Sequence, residues 1–289
     1  MNVRGAALEA RLDALAATGT QVTRVDVLWR EVAPRRPSAP RDPGDPAYDW
    51  SRYDQIVRGL AARNIAIIMD FYRTPAWASR DGRPSAAPRP ADGARFAGAI
   101  ARRYSGTYAE PGATPLPEVR RLEVWNEPNM PTFWTPQCRA RPGGSVPVAP
   151  RVYAALLAAS YREIKAANPR AIVIGGVVGP AGRTPTTCPP DGATGTGATD
   201  FTRRVAREKP PIDAWSLHLY PIGSPLKAFF DPSFATISRV FPHVDKLRRG
   251  APIYATETGY HTSYSRFHSY FVSEAQQAAW LDEMVVAAS

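Results

Sequence analysis

The sequence is poor in lysine. Four lysines against 32 arginines make up its 36 basic residues, and with 26 acids the formal net charge is +10. The arginines are scattered along the chain, in no run longer than two. A nucleic-acid-binding protein gathers its basic residues on one face, so that class is not expected. A diffuse positive field suits an anionic polysaccharide or a cell-wall surface better. Cysteine is scarcer still. The two present, Cys138 and Cys188, together with four dispersed histidines cannot supply the closely spaced ligand set of a structural zinc site. Both lie in Pro/Gly-rich stretches, where one disulfide and two free thiols stay equally open. A bond would imply an oxidising compartment. No apolar run approaches the roughly 20 residues that span a bilayer. Residues 1–19 read as an amphipathic helix carrying acids, and not as a signal peptide. Neither GxGxxG after a strand nor GxxxxGK[ST] occurs, so a nucleotide has no phosphate cradle.

What is present is a length of 289 residues, 44% hydrophobic and 21% charged, enough to bury a large core without staples. Short β-branched runs alternate with helical periodicity almost throughout. Strands are expected at 21–28, 64–71, 121–125, 171–178, 212–220 and 252–256. Helices are expected near 5–17, 51–63, 91–104, 150–167, 200–208, 238–249 and 273–288. Most of the strands are apolar on both faces, as in a parallel sheet covered by helices. Six βα units in series give either an open doubly wound sheet or a (β/α)8 barrel. Connections entering the strands are short. Those leaving them, 30–49, 73–90, 128–149, 178–199 and 221–237, are long and rich in Pro, Gly, Arg and aromatics. In both folds that edge of the sheet carries the site. The Gly195-Thr196-Gly197 fragment reads as a flexible connector. No linker or repeat interrupts the pattern, so one domain over 1–289 is expected.

The chemistry sits at the strand ends. Trp125-Asn126-Glu127-Pro128-Asn129 closes one strand, and Tyr254-Ala255-Thr256-Glu257-Thr258-Gly259-Tyr260 closes the last. Two carboxylates facing each other across one rim suit glycosidic chemistry. One protonates the leaving oxygen while the other attacks the anomeric carbon, and the gap between them separates retaining from inverting action. Arg24, a charge in an otherwise apolar strand, needs an anionic partner, and Asp26 and Glu123 read as ion partners in the same layer. His218 and Tyr220 share one strand face. Asn126 offers a donor for a sugar hydroxyl, and Trp29, Trp77, Trp134 and Tyr260 offer flat faces for sugar rings.

LEVWNEPN followed later by IYATETGY, with RVDVLW, TPAWA and LHLYP in the expected order, resembles the clan A retaining glycoside hydrolases, most closely the family 39 and family 5 (cellulase-like) types. The resemblance spans roughly 6–281. It implies a (β/α)8 TIM barrel, with Glu127 as acid/base at the end of its fourth strand and Glu257 as nucleophile at the end of its seventh. It also implies that Asn126 contacts the sugar's 2-hydroxyl, that Tyr220 lies near the nucleophile with His218 beside it, and that Arg24 is the second-strand arginine. The implied reaction is double displacement at a β-O-glycosidic bond of an oligo- or polysaccharide, leaning toward an acidic polymer, with no metal or organic cofactor. On this register the first and eighth strands are missing from the chain, which is expected to be a truncated barrel. The alternative is a catalytically inactive carbohydrate-binding or interaction protein built on the same barrel. Secretion or cell-surface attachment is expected, with a cytoplasmic location as the alternative.

Overall fold

In the computed structural model, residues 6–182, 188, 195–221, 223–225, 232–264 and 271–288 are described. Parts of the long connections 178–199 and 221–237 fall outside the described residues, as does residue 5 of the first expected helix. Six strands form one sheet: β1 (Val22–Leu28), β2 (Ala66–Tyr72), β3 (Arg121–Glu123), β6 (Ile172–Val178), β7 (Ala214–Leu219) and β8 (Ile253–Thr258), in the order β1-β2-β3-β6-β7-β8. Every pairing is parallel. Chain order and spatial order coincide, so each strand is laid beside its predecessor in one direction of winding. An open doubly wound sheet reverses direction at a switch point; this sheet does not, and it is therefore the wall of a (β/α) barrel with β1 and β8 as its open edges.

The burial of the strands follows from that position. β2, β6 and β7 are apolar runs buried along almost their whole length, whereas β1 and β8 are half-exposed. Helices α1 (Ala6–Ala17), α3 (Ser51–Ala61), α4 (Pro90–Arg103), α5 (Ala149–Ala167), α6 (Ala198–Glu208), α7 (Pro232–Val244) and α8 (Glu274–Ala288) complete the βα units. A Pro in the first turn starts α4 and α5, where its missing N–H costs no helix bond. The larger of two apolar clusters runs from Leu8 to Ala251 between sheet and helices, and it holds Trp29, Phe96, Trp125, Trp134 and Trp215 at or near zero exposure. None of the described helices is long and apolar enough to cross a membrane.

The structure departs from the expected elements in three places. The connection 128–149 is not all loop. It contains the antiparallel hairpin β4 (Cys138–Arg141) and β5 (Gly144–Pro147), joined by Pro142 and Gly143, and Gly143 takes the positive φ of 80° that such a turn requires. A one-turn helix, α2 (Trp29–Val32), follows β1 directly. The helix expected at 238–249 instead begins at Pro232 and ends at Val244. The Cys138 and Cys188 thiols are joined as a disulfide, tying the hairpin to the connection after β6.

Asp213, just before β7, binds the amino-terminal edge of the sheet to its helices. It accepts hydrogen bonds from the Val173 amide at 3.0 Å, Tyr161 at 3.3 Å and Arg248 at 3.0 Å, and pairs with Lys165 at 2.6 Å. Burial disfavours its charge, but Lys165 and the Val173 amide more than compensate and hold its pKa below the ordinary carboxylate value. A depressed native pKa contributes stability that is complete above the unfolded value of about 3.9 and is lost as pH falls through the native value. Asp213→Asn is therefore expected to lower Tm at neutral pH. The gap between variant and parent should narrow below about pH 4, as thermal melts across a pH series would read. A gap of constant size would mean that the carboxylate charge contributes nothing.

Candidate active site

The middle of β1 and the carboxyl ends of β3, β7 and β8 bring Arg24, Asn126, Glu127, His218, Tyr220 and Glu257 together. Glu127 leaves the sheet on a strained backbone. Trp125 and Glu127 have φ of 77° and 40°, the left-handed region that non-glycine residues enter at a cost of about 1–3 kcal/mol each. Three contacts hold the strain in place. The Trp125 ring is fully buried and its Nε1 donates to Phe133 O at 3.0 Å. The Glu127 amide donates to Val177 O at 2.9 Å. The Glu127 carbonyl accepts the Met130 amide at 2.9 Å.

Asn129, in the same motif, locks this turn to the strand beside it. Its Nδ2 donates to the carbonyls of Gly179, Ala181 and Thr196, and its Oδ1 accepts the Gly179 amide. The Gly195-Thr196-Gly197 fragment is thus no flexible connector. Thr196 is fully buried and its amide donates to Asn129 O at 2.9 Å, because the Glu127 turn needs this wall to close against.

The side chains converge on a small volume. His218 Nδ1 lies 2.8 Å from Glu127 Oε1 and 3.3 Å from Glu257 Oε2, and the three groups offer donor atoms all within 4.8 Å of one another. Tyr220 Oη donates to Glu257 Oε2 at 2.9 Å. Burial first, and then the Glu257 charge, raise the Tyr220 pKa, so the phenol keeps its proton and remains a donor. His218 is 1% exposed, whereas the Glu127 and Glu257 side chains keep 14% and 28% of their surface open to the mouth of the sheet. Geometrically the trio could also ligate a cation, with both carboxylates as ligands.

Arg24 uses all five of its N–H donors. Nε donates to Glu123 at 2.6 Å; Nη1 donates to Asp26 at 2.9 Å and to Glu257 in a short contact; Nη2 donates to Asp70 at 2.6 Å and to Asn126 Oδ1 at 2.8 Å. Burial lowers its pKa, and Asp70, Glu123, Asp26 and Glu257 together raise it by more, so the guanidinium is a permanent charge. Complete burial pushes the Asp70 carboxyl well up, with Arg24 opposing. Because Arg24 occupies its oxygen, Asn126 keeps its NH2 as the end that can donate elsewhere.

The expected sugar platforms fare differently. Trp29 is fully buried, stacked on Phe96 with ring centroids 5.1 Å apart, and Trp134 is fully buried edge-on to Trp125 at 5.3 Å. Neither has a face for a sugar; both are core, because α2 and the Glu127 turn fold over them. Trp77 is half-buried, its Nε1 donates to Ala33 O, and the Arg36 guanidinium stands 4.9 Å over its ring. Tyr260 is 9% exposed, with its hydroxyl on Gly223 O and its ring against Trp280. The half-exposed aromatic pair at the β2 and β3 ends is instead Tyr72 and Phe133, edge to face at 5.7 Å, with Tyr72 Oη 3.4 Å from Asp26. Tyr72 closes β2 one residue beyond the expected strand, whose true end would have found it; Phe133 carried no signal.

Gly179 was missed as well. A Cβ there would stand 2.7 Å from the Glu127 carboxyl carbon, so the absence of a side chain leaves the room that the carboxylate fills.

No family model matches the chain. A curated β-xylosidase from Geobacillus stearothermophilus is 27% identical over 248 residues, covering 76% of this chain and 42% of the relative. A solved family 39 glycoside hydrolase from the gut symbiont Bacteroides cellulosilyticus superposes with a TM-score of 0.62 at 19% identity, over 97% of this chain and 50% of that one. The chain is similar to family 39 glycoside hydrolases. A family 39 β-xylosidase from Caulobacter crescentus superposes with a TM-score of 0.58 at 20% identity, over 92% of this chain and 52% of that one. The chain spans less than half the length of the curated relative and about half the length of these structures. Their likeness gives the fold, a family 39-type barrel wall.

Proposed function

We propose that the chain carries the catalytic centre of a retaining glycosidase for β-linked glycosides, with Glu257 as nucleophile and Glu127 as acid/base. The observation that carries the reading is the approach of the two carboxylates, oxygen to oxygen within 4.8 Å across His218. So close an approach of one oxygen from each supports the short spacing of retaining enzymes, about 5–5.5 Å between carboxyl groups, over the wider spacing that leaves an inverting pair room for water.

In the first step Glu257 bonds to the anomeric carbon as the glycosidic C–O bond breaks, and the Glu127 proton passes to the leaving oxygen. In the second, Glu127 takes a proton from water while the water oxygen attacks the same carbon, and the Glu257 carboxylate is released. Each protein group has a share in this. Arg24 and Tyr220 hold the two Glu257 oxygens from opposite sides, fixing the attacking lone pair. His218, held near both carboxylates, keeps the pair in register. The free amide end of Asn126 is the donor for the sugar's 2-hydroxyl. The curated relative is described as a β-xylosidase, so β-xylosides are the first substrates to offer.

The test is intact-mass spectrometry after incubation with 2-deoxy-2-fluoro aryl glycosides, followed by peptide mapping. One fluoroglycosyl group on the peptide bearing Glu257 is the expected result. A product of inverted configuration, or an adduct elsewhere, would overturn the assignment.

Gly179→Ala probes positioning apart from chemistry. Its backbone is permissive, so the methyl group must displace the Glu127 carboxyl and not the fold. The expected result is an unchanged Tm with kcat down about 100-fold, the scale of a displacement near 1 Å. An unchanged kcat would mean that the carboxylate finds its place from another rotamer.

A further inference from the structure

On the outer wall of the sheet, between α6 and α7, lies a cavity of about 630 Å³ lined by Arg203, Ala206, Arg207, Lys209, His243 and Lys246. Among the described residues, the lining carries four permanent cations and a histidine and no carboxylate. Among them, too, Arg203 is the cation of this lining with an ion-pair partner, Asp200, which it shares with Arg204. Of the acids next to these cations in sequence, Asp245 accepts the Gly250 amide at 2.9 Å, and Glu208 lines a separate cavity beside Arg139 and Arg151. Arg207 and Lys209 also suit the negative end of α6. Lys246 and His243 come from α7 and the turn after it, and owe nothing to that dipole. Half the lysines of the chain are in this one cavity, gathered from segments some 40 residues apart in sequence.

We propose that this cavity is a binding site for an acidic polysaccharide, engaging the carboxylates of a uronic-acid chain away from the Glu127 and Glu257 centre. Several like charges around a concave, partly desolvated surface focus a field that attracts a counter-ion. The field registers on His243, whose pKa is lowered by burial and then by Lys246, Arg203 and Arg207, so the histidine is neutral where the cations are not. Ala206 forms a small apolar floor that leaves the cations at the rim, a shape for an extended chain of charges. The choice of a polysaccharide over a nucleic acid rests on the proposed glycosidase reading; the anionic character of the ligand does not.

The test is titration of the full chain with oligogalacturonides, with a short DNA duplex of matched charge in parallel, at low and at physiological salt. Oligogalacturonide should bind, weaken with salt as screening requires, and lose at least about tenfold in affinity in the triple variant Arg207→Glu, Lys209→Glu, Lys246→Glu. The His243 ring protons should titrate at higher pH in the complex than in the free protein. Single variants Arg207→Gln and Lys246→Gln, at exposed positions that leave the fold alone, should each weaken binding by a smaller factor. No binding, or binding that ignores these substitutions, would overturn the site. Tighter binding of the duplex would overturn the polysaccharide assignment while keeping the anion site. Hydrolysis of an uncharged aryl glycoside is measured on the same samples and should be equal in all of them. Its absence from the parent protein would count against the glycosidase reading alone.

Discussion

Glu257→Ala should lower kcat/KM on an aryl β-glycoside by about 10⁴-fold or more, which is about 5 kcal/mol of barrier, while leaving the thermal transition in place. On the proposed double displacement the loss is large because the first covalent bond would have no other oxygen to form on. Arg24 and Tyr220 hold the Glu257 carboxylate but cannot replace it. The fold should survive because Arg24 keeps Asp70, Glu123 and Asp26 when Glu257 goes. The variant leaves a gap where the carboxylate stood, on the side of the sugar opposite the leaving group. Added azide should enter that gap and attack the anomeric carbon of an activated substrate, giving a glycosyl azide of inverted configuration. Polarimetry or NMR of the product checks it. Full activity in Glu257→Ala would remove the nucleophile assignment.

Glu127→Ala should behave differently, and the contrast separates the two roles. A glycoside with a poor leaving group needs its oxygen protonated as the bond breaks, so its hydrolysis should fall by about 10³- to 10⁴-fold. An aryl glycoside with a good leaving group departs unaided, so its first step should be nearly normal and the glycosyl-enzyme should accumulate until water, now without a base, slowly frees it. Azide in this variant attacks the accumulated ester and should give the product of retained configuration. A burst in rapid-mixing experiments followed by a slow steady rate is the expected kinetic trace. Equal losses for good and poor leaving groups would show that Glu127 does not deliver the proton.

Much of this arrangement is legible along the chain. The six strand runs follow from apolar periodicity alone, since a buried parallel strand must be apolar on both faces and a covering helix on one; their order in the sheet does not. Glu127 and Glu257 stand out because a charge at the end of such a run has no place in a core. Arg24 is conspicuous for the same reason. Asn129 stands within the motif, yet its work as a tie to Gly179, Ala181 and Thr196 is invisible, because those carbonyls come from positions 50, 52 and 67 residues away. Asp70, which the sequence does not single out, is a fully buried carboxyl on Arg24.

The sequence by itself determined a fold of serial βα units and singled out Glu127 and Glu257 at two strand ends, because hydrophobic periodicity and the cost of an unpaired charge in a core act locally and leave their mark residue by residue. The family resemblance implied the barrel, and the strand order of the structure decided it against a doubly wound sheet. Tertiary structure alone decided which aromatics were core and which faced the mouth, the room at Gly179, the five-way use of Arg24 and the gathering of scattered cations between α6 and α7. Each depends on distances between segments far apart in the chain, and those distances are set only when the helices pack onto the sheet.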